Sequence, residues 1–170
     1  EIQASLVGSE MCIRDSGLNP PPNYFPLNVK MNKEGYDDID KIIACGTTPL
    51  DPDSFENIAK MKNVLILDVR HQEQFAKEHI PNSIFIGIDG SFAPWVGTII
   101  EDVTKPILLV TPEDRVEETI TRLARVGFDN CLGFLKGGIK TWMMQGKLTA
   151  NVNVIDSAVF KKLTKNEKLK

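Results

Sequence analysis

Between Asp51 and Gly146, short unbroken apolar runs alternate with stretches in which apolar residues recur every three or four positions. Val64-Leu65-Ile66-Leu67, Ile84-Phe85-Ile86, Ile107-Leu108-Leu109-Val110 and Cys131-Leu132 are the runs. Their length and unbroken hydrophobicity predict strands buried on both faces. Helical patterns lie between them. Asp51 can cap a helix whose first turn holds Pro52 and whose inner face is Phe55, Ile58 and Ala59. Residues 72–78 form a short helix candidate that stops before Pro81. Phe92, Trp95, Val96, Ile99 and Ile100 fall at i, i+3, i+4, i+7 and i+8 of another. Val116, Ile120, Leu123 and Ala124 mark a further amphipathic helix, with Gly127 placed to end it. Gly137-Gly138 is a turn, and Ile139, Trp142 and Met143 face one side of a last short helix. Strands alternating with helices predict a parallel sheet covered on both sides. Ligands in such sheets bind beyond the carboxyl ends of the strands, so 68–72, 87–91 and 111–115 are the candidate site loops.

The flanks lack this periodicity. Residues 1–16 include SLVGSEMCIRDS, which resembles translated sequencing-adapter sequence, and the segment is read as an artefactual leader. Residues 17–50 contain Asn19-Pro20-Pro21-Pro22-Asn23, which excludes helix and interior strand there. They are expected to be a linker or the tail of an upstream domain. Residues 147–170 are read as a linker, Thr149 to Asn153, followed by a helix near 157–165 that carries Phe160 and Leu163. The 170 residues are 42% hydrophobic, as suits one domain with flanking segments. The net charge of −3, from 20 Lys and Arg against 23 Asp and Glu, gives no general attraction to nucleic acid or an anionic membrane. No apolar run approaches the ~20 residues of a membrane span. The three cysteines, Cys12, Cys45 and Cys131, do not suit a disulfide framework. A cytoplasmic location is expected.

Several pieces of the chain resemble one family. LDVRHQEQFAKEHIPNSIFI, Leu67 to Ile86, is similar to the first rhodanese signature through Asp68, Arg70, Glu73, Phe75, His79, Ile80 and Pro81. Glu78, Asn82 and Ser83 replace its usual small residues. GFDNCLGFLKGGIKTW, Gly127 to Trp142, resembles the second signature, with Gly137, Gly138 and Trp142 in place. The resemblance covers about 51–146 and implies a rhodanese-like three-layer α/β fold. Residues 20–31, GSFAPW at 90–95 and PEDR at 112–115 resemble the first rhodanese domain of metallo-β-lactamase-fold/rhodanese fusion proteins. That likeness implies a metallohydrolase domain upstream and a second rhodanese-like domain opening near 157. These two domains would be the partners. Iron or zinc would be held only upstream, since no His-x-His-x-Asp-His motif occurs here, and no cofactor is expected in this fragment. The parent protein would be a metal-dependent hydrolase or persulfide dioxygenase.

The chain departs from the family at the active loop. Active rhodaneses carry Cys-Arg-x-Gly-x-Arg after the fourth strand, where successive N–H groups surround a thiolate. Here the strand runs into Thr111-Pro112-Glu113-Asp114-Arg115, with no cysteine and one residue fewer. Arg115 can match the last Arg of the motif. Pro112 removes an N–H donor, and Glu113 and Asp114 place carboxylates where an anion would sit. A threonine hydroxyl without a base is a poor nucleophile. The expected function is therefore a non-catalytic module of a sulfur-handling protein. The alternative is a sulfurtransferase using Cys45, beside Gly46 in the linker, or Cys131, in a predicted interior strand. A phosphatase-type loop enzyme would need the same missing cysteine. Asp68 and Arg70 are read as a structural turn pair, His79 as a loop-ordering hydrogen bonder, and Trp95 and Trp142 as core or interface anchors. Glu117 and Glu118 are first-turn charges that favour the helix dipole. His71 and His79 lack a third ligand for a metal.

Overall fold

A computed structural model of the chain describes residues 25, 26, 29, 33, 35, 38–153 and 155–165. The artefactual leader expected at 1–16 lies outside the described residues. Five strands form one parallel sheet: β1 Pro49–Leu50, β2 Leu65–Asp68, β3 Ile84–Phe85, β4 Ile107–Val110 and β5 Cys131–Leu135. Their order is β1-β5-β4-β2-β3, and every neighbouring pair is parallel.

Alternation along the central strands divides the core into two layers. Leu65, Leu67, Ile107 and Leu109 join one cluster, and Ile66, Leu108 and Val110 the other. Helices α1 Ile39–Gly46, α4 Phe92–Ile99 and α5 Val116–Ala124 cover the first face, through residues such as Ile42, Val96 and Ile120. Helices α2 Pro52–Ala59 and α6 Gly138–Met144 cover the second, through Phe55 and Trp142. The short helix α3, Gln72–Lys77, follows β2, and α7, Ser157–Lys165, lies at the carboxyl end. The expected three-layer α/β fold is the one observed.

Local chemistry accounts for the element ends. Asp51 caps α2 by accepting the N–H groups of Asp53 and Ser54, each at 3.0 Å. Gly127, at φ 84, turns the chain after α5, where the Phe128 N–H returns to Leu123 O at 3.1 Å.

Two flanking segments differ from expectation. Residues 39–50, read from sequence as linker, belong to the folded unit. Asp38 caps α1 with a 3.1 Å bond from the Asp40 N–H, and β1 is an edge strand of the sheet. Pro49 is tolerated because the strand pairs on one side only. Gly46 lets α1 approach β5: a Cβ there would stand 2.8 Å from Ile120 Cδ1 and 3.0 Å from Cys131 Cβ. The stretch 147–152, expected as part of a linker, lies back across the domain. His79 and Ala150 exchange backbone hydrogen bonds at 2.9 and 2.8 Å, and the Val152 N–H donates to Ala76 O at 2.8 Å. Lys147 Nζ donates to Asp53 Oδ1 and Glu56 Oε2, both at 2.7 Å. These partners are distant in sequence, so local composition carried no sign of them. In α7, Val159 and Phe160 are exposed.

Candidate functional site at the carboxyl ends of the strands

β2 ends at Asp68, whose carboxylate is completely buried. An isolated charge there would cost several kcal/mol, but Arg70 meets it at close range. Arg70 Nε donates to Oδ1 at 2.9 Å and to Oδ2 at 3.1 Å, and Nη2 donates to Oδ2 at 2.6 Å. The Arg70 backbone N–H also donates to Oδ1, at 3.1 Å. Arg70 Nη2 further donates to Glu78 O at 2.8 Å, tying the loop after β2 to the end of α3. Both charges are thus used within the loop.

His79 Nδ1 lies 2.8 Å from Phe75 O, so it carries the proton as donor. Its ring stacks on Phe75 at 4.0 Å between centroids. Glu73, the remaining residue of the first signature, is in the first turn of α3 and its side chain is exposed. There it complements the helix dipole and does not line the cavity beside the loop 111–115. Gly137 and Gly138 adopt φ 71 and 60, in the left-handed region. A side chain at Gly137 would also collide with Thr141 Cγ2. Trp142 is buried: Nε1 donates to Leu148 O at 2.8 Å, and the ring meets Phe55 edge-on at 6.0 Å. Trp95, grouped with it from sequence, is not in the core but 57% exposed. α4 buries the narrower stripe of Phe92, Val96 and Gly97, and Trp95 and Ile99 lie on its flank.

The loop 111–115 borders a cavity of about 590 Å³ lined by Arg70, Lys77, Thr111, Glu113, Gly137 and Lys140, among others. Thr111 is 2% exposed. Its hydroxyl has only long contacts, donating to Pro112 O at 3.3 Å and lying 3.4 Å from Thr119 Oγ1. Among the described residues no imidazole, amine or carboxylate accepts its proton. Glu113–Arg115 form a 3-10 turn that leads into α5. Glu113 Oε1 accepts the Gly137 N–H at 2.8 Å, so the loop's own carboxylate occupies that donor. Asp114, expected beside Glu113 at the anion's place, is exposed and is not part of the cavity lining. Arg115 is held by Glu118 and by Asp89, each at 2.9 Å, and these carboxylates keep its pKa raised. The sequence did not single out Lys77 and Lys140, the lysines that join Arg70 in lining this cavity. Only the fold brings them to it.

Neither described cysteine is at this cavity. Cys131 opens β5, at the amino end of the strand, with roughly 13 Å of extended chain between it and Leu135 at the other end. It is 1% exposed, and burial pushes its thiol up to about 12. Cys45 is exposed in the last turn of α1. Among the described residues no group of three His, Cys, Asp or Glu is arranged to hold a metal ion. No helix among them is long and apolar enough to cross a membrane.

Residues 51–145 match the rhodanese-like domain. The chain belongs to that family. Several solved rhodanese-like structures share its fold. The Alr3790 protein from Anabaena sp. is 19% identical at a TM-score of 0.52, over 71% of this chain and 94% of that one. SseA from Escherichia coli, described with the fold and catalytic mechanism of 3-mercaptopyruvate sulfotransferases, is 14% identical at 0.50, over 64% of this chain and 53% of that one. The polysulfide-sulfur transferase homodimer from Wolinella succinogenes is 18% identical at 0.50, over 74% and 93%. No curated protein matches the chain. At these identities the structural likeness speaks for the rhodanese-like fold and not for activity.

Proposed function

We propose that this rhodanese-like domain is a non-catalytic module with a structural or regulatory role in a multidomain sulfur-handling protein. In this reading a metallo-β-lactamase-fold domain precedes it and a second rhodanese-like domain follows. The observation that carries the proposal is the content of the loop after β4. Thr111 stands where a nucleophile is needed and has no base, and Glu113 takes up the Gly137 N–H inside the cavity. A persulfide needs a thiolate, and a bound thiosulfate needs free donors and no facing carboxylate. The alternative sulfurtransferase would have to use Cys131, buried with a raised pKa at the wrong end of the sheet, or Cys45, on the surface away from the cavity. Iron or zinc, and with it hydrolysis or persulfide oxygenation, would belong to the upstream domain, and the whole protein to the cytoplasm.

A thiosulfate:cyanide assay on the chain tests this. Thiocyanate formation should not exceed the protein-free rate. Turnover that disappears in Cys45→Ser or Cys131→Ser would overturn the proposal and identify the nucleophile.

A further inference from the structure

A second cavity, of about 440 Å³, opens where the loops 68–72 and 87–91 meet, beyond the carboxyl ends of β2 and β3. Its size is that of a small-molecule pocket, and the loop 111–115 contributes nothing to its lining.

Its apolar lining sets two aromatic residues, Phe85 and Trp95, beside Ile86 and Ile99. His79 stacks on Phe75, and Phe75 lies 4.9 Å from Phe85, so three rings form a file. Phe85 ends that file and lines the cavity, as does the exposed indole of Trp95. Gly87 keeps the space beside Phe85 open, because a Cβ there would stand 3.3 Å from Phe85 Cζ. Among the described residues, the polar lining offers hydrogen-bonding groups that no partner takes up. Ser91 is the N-cap of α4, yet its hydroxyl makes no capping bond. His71 Nδ1 accepts the Glu73 N–H at 3.4 Å, which leaves Nε2–H as a donor. Gln72 lines the cavity beside it. The carboxylate of the lining, Asp89, is paired with Arg115 at 2.9 Å, and its cation, Arg70, with Asp68 at 2.6 Å, so the cavity has no strong preference for charge.

We propose that this cavity binds a small, uncharged, planar aromatic molecule with a hydrogen-bonding edge. The ring lies against Phe85 and Trp95, and the polar edge is met by His71, Gln72 and Ser91. Offset or edge-on ring contacts add to simple apolar burial, so the site distinguishes a flat ring from an aliphatic one of equal size.

Phenol and cyclohexanol, which share a hydroxyl and a six-membered ring, make the test. Each is titrated into the ¹⁵N-labelled full chain. Phenol should shift the Gly87 amide and the Trp95 indole N–H in a saturable way, while the Trp142 indole, bound to Leu148 O, stays still. Cyclohexanol should bind several-fold more weakly. Trp95→Ala, at a site exposed enough to leave the fold intact, should weaken phenol binding by about tenfold, read at Gly87. Ser91→Ala should weaken it by a smaller factor. Equal binding of the two alcohols, a silent Gly87 amide, or undiminished binding by Trp95→Ala would each overturn the proposal.

Discussion

Asp68 and Thr111 govern the loops at the carboxyl ends of the strands, and Cys131 lies buried at the amino end of β5. Asp68→Ala leaves the Arg70 guanidinium buried without its counter-charge, and urea unfolding should show a loss of about 3–5 kcal/mol. Asp68→Asn keeps a hydrogen-bond acceptor and should lose less. Cys131 gives a pH dependence. Its folded pKa, about 12, lies above the ordinary thiol value of 9.0, because burial disfavours the thiolate. The folded state therefore holds the proton that the unfolded state releases first. The associated stability is complete below pH 9 and is lost as pH rises from about 9 towards 12. Stability measured across this range should fall less steeply for Cys131→Ala. Native-state alkylation at pH 8 should modify Cys45 and spare Cys131. At Thr111 a single change is insufficient. Thr111→Cys should give no measurable sulfur transfer, since the new thiolate faces Glu113 and lacks the donors that Pro112 and Gly137 cannot supply.

The active loop and the packing of α1 belong to the scale of elements. Replacing residues 111–115 with a six-residue Cys-Arg-Ser-Gly-Asn-Arg loop restores nucleophile, donors and charge together. Mass spectrometry after thiosulfate treatment should then find one added sulfur on the new cysteine. An unmodified graft would mean that the scaffold lacks something besides the loop. Gly46→Ala should destabilise the chain by about 1–3 kcal/mol, because its methyl meets Ile120 and Cys131 in a filled core. Hydrogen exchange in α1 should accelerate in that variant. The central elements were legible because β2 and β4 are unbroken apolar runs and α5 has a clean helical stripe. α1 and β1 were not. Ile39, Ile42 and Ile43 of α1 do fall at i, i+3 and i+4, but the helix is eight residues long and follows a turn-rich segment, and β1 is two residues beginning with proline. The loop's missing cysteine was plain in the sequence. The Glu113–Gly137 bond, across 24 positions, was not. Nor was the exposure of Trp95, whose spacing fits a core stripe wider than the one α4 buries.

For the molecule as a whole, the two faces of the sheet are secured differently. One is covered by three helices whose buried hydrophobic side chains are aliphatic apart from Phe92. The other has two short helices and is braced by the returning segment 147–152. Lys147→Ala removes both contacts to α2 and the cation over the Trp142 ring, 5.3 Å from its centroid. It should lower the thermal midpoint by a few degrees, with the second face opening first in hydrogen exchange. That brace has a mechanical consequence. A pull on residue 153 meets the bonds to Ala76 and His79 before it reaches α6, and backbone bonds aligned this way peel one at a time. Force spectroscopy should record an early, weak release of about seven residues before the sheet yields. Glu78, whose carbonyl holds Arg70, adjoins His79 in the chain. Tension on the tail is therefore delivered, through Arg70, to the rim of both cavities.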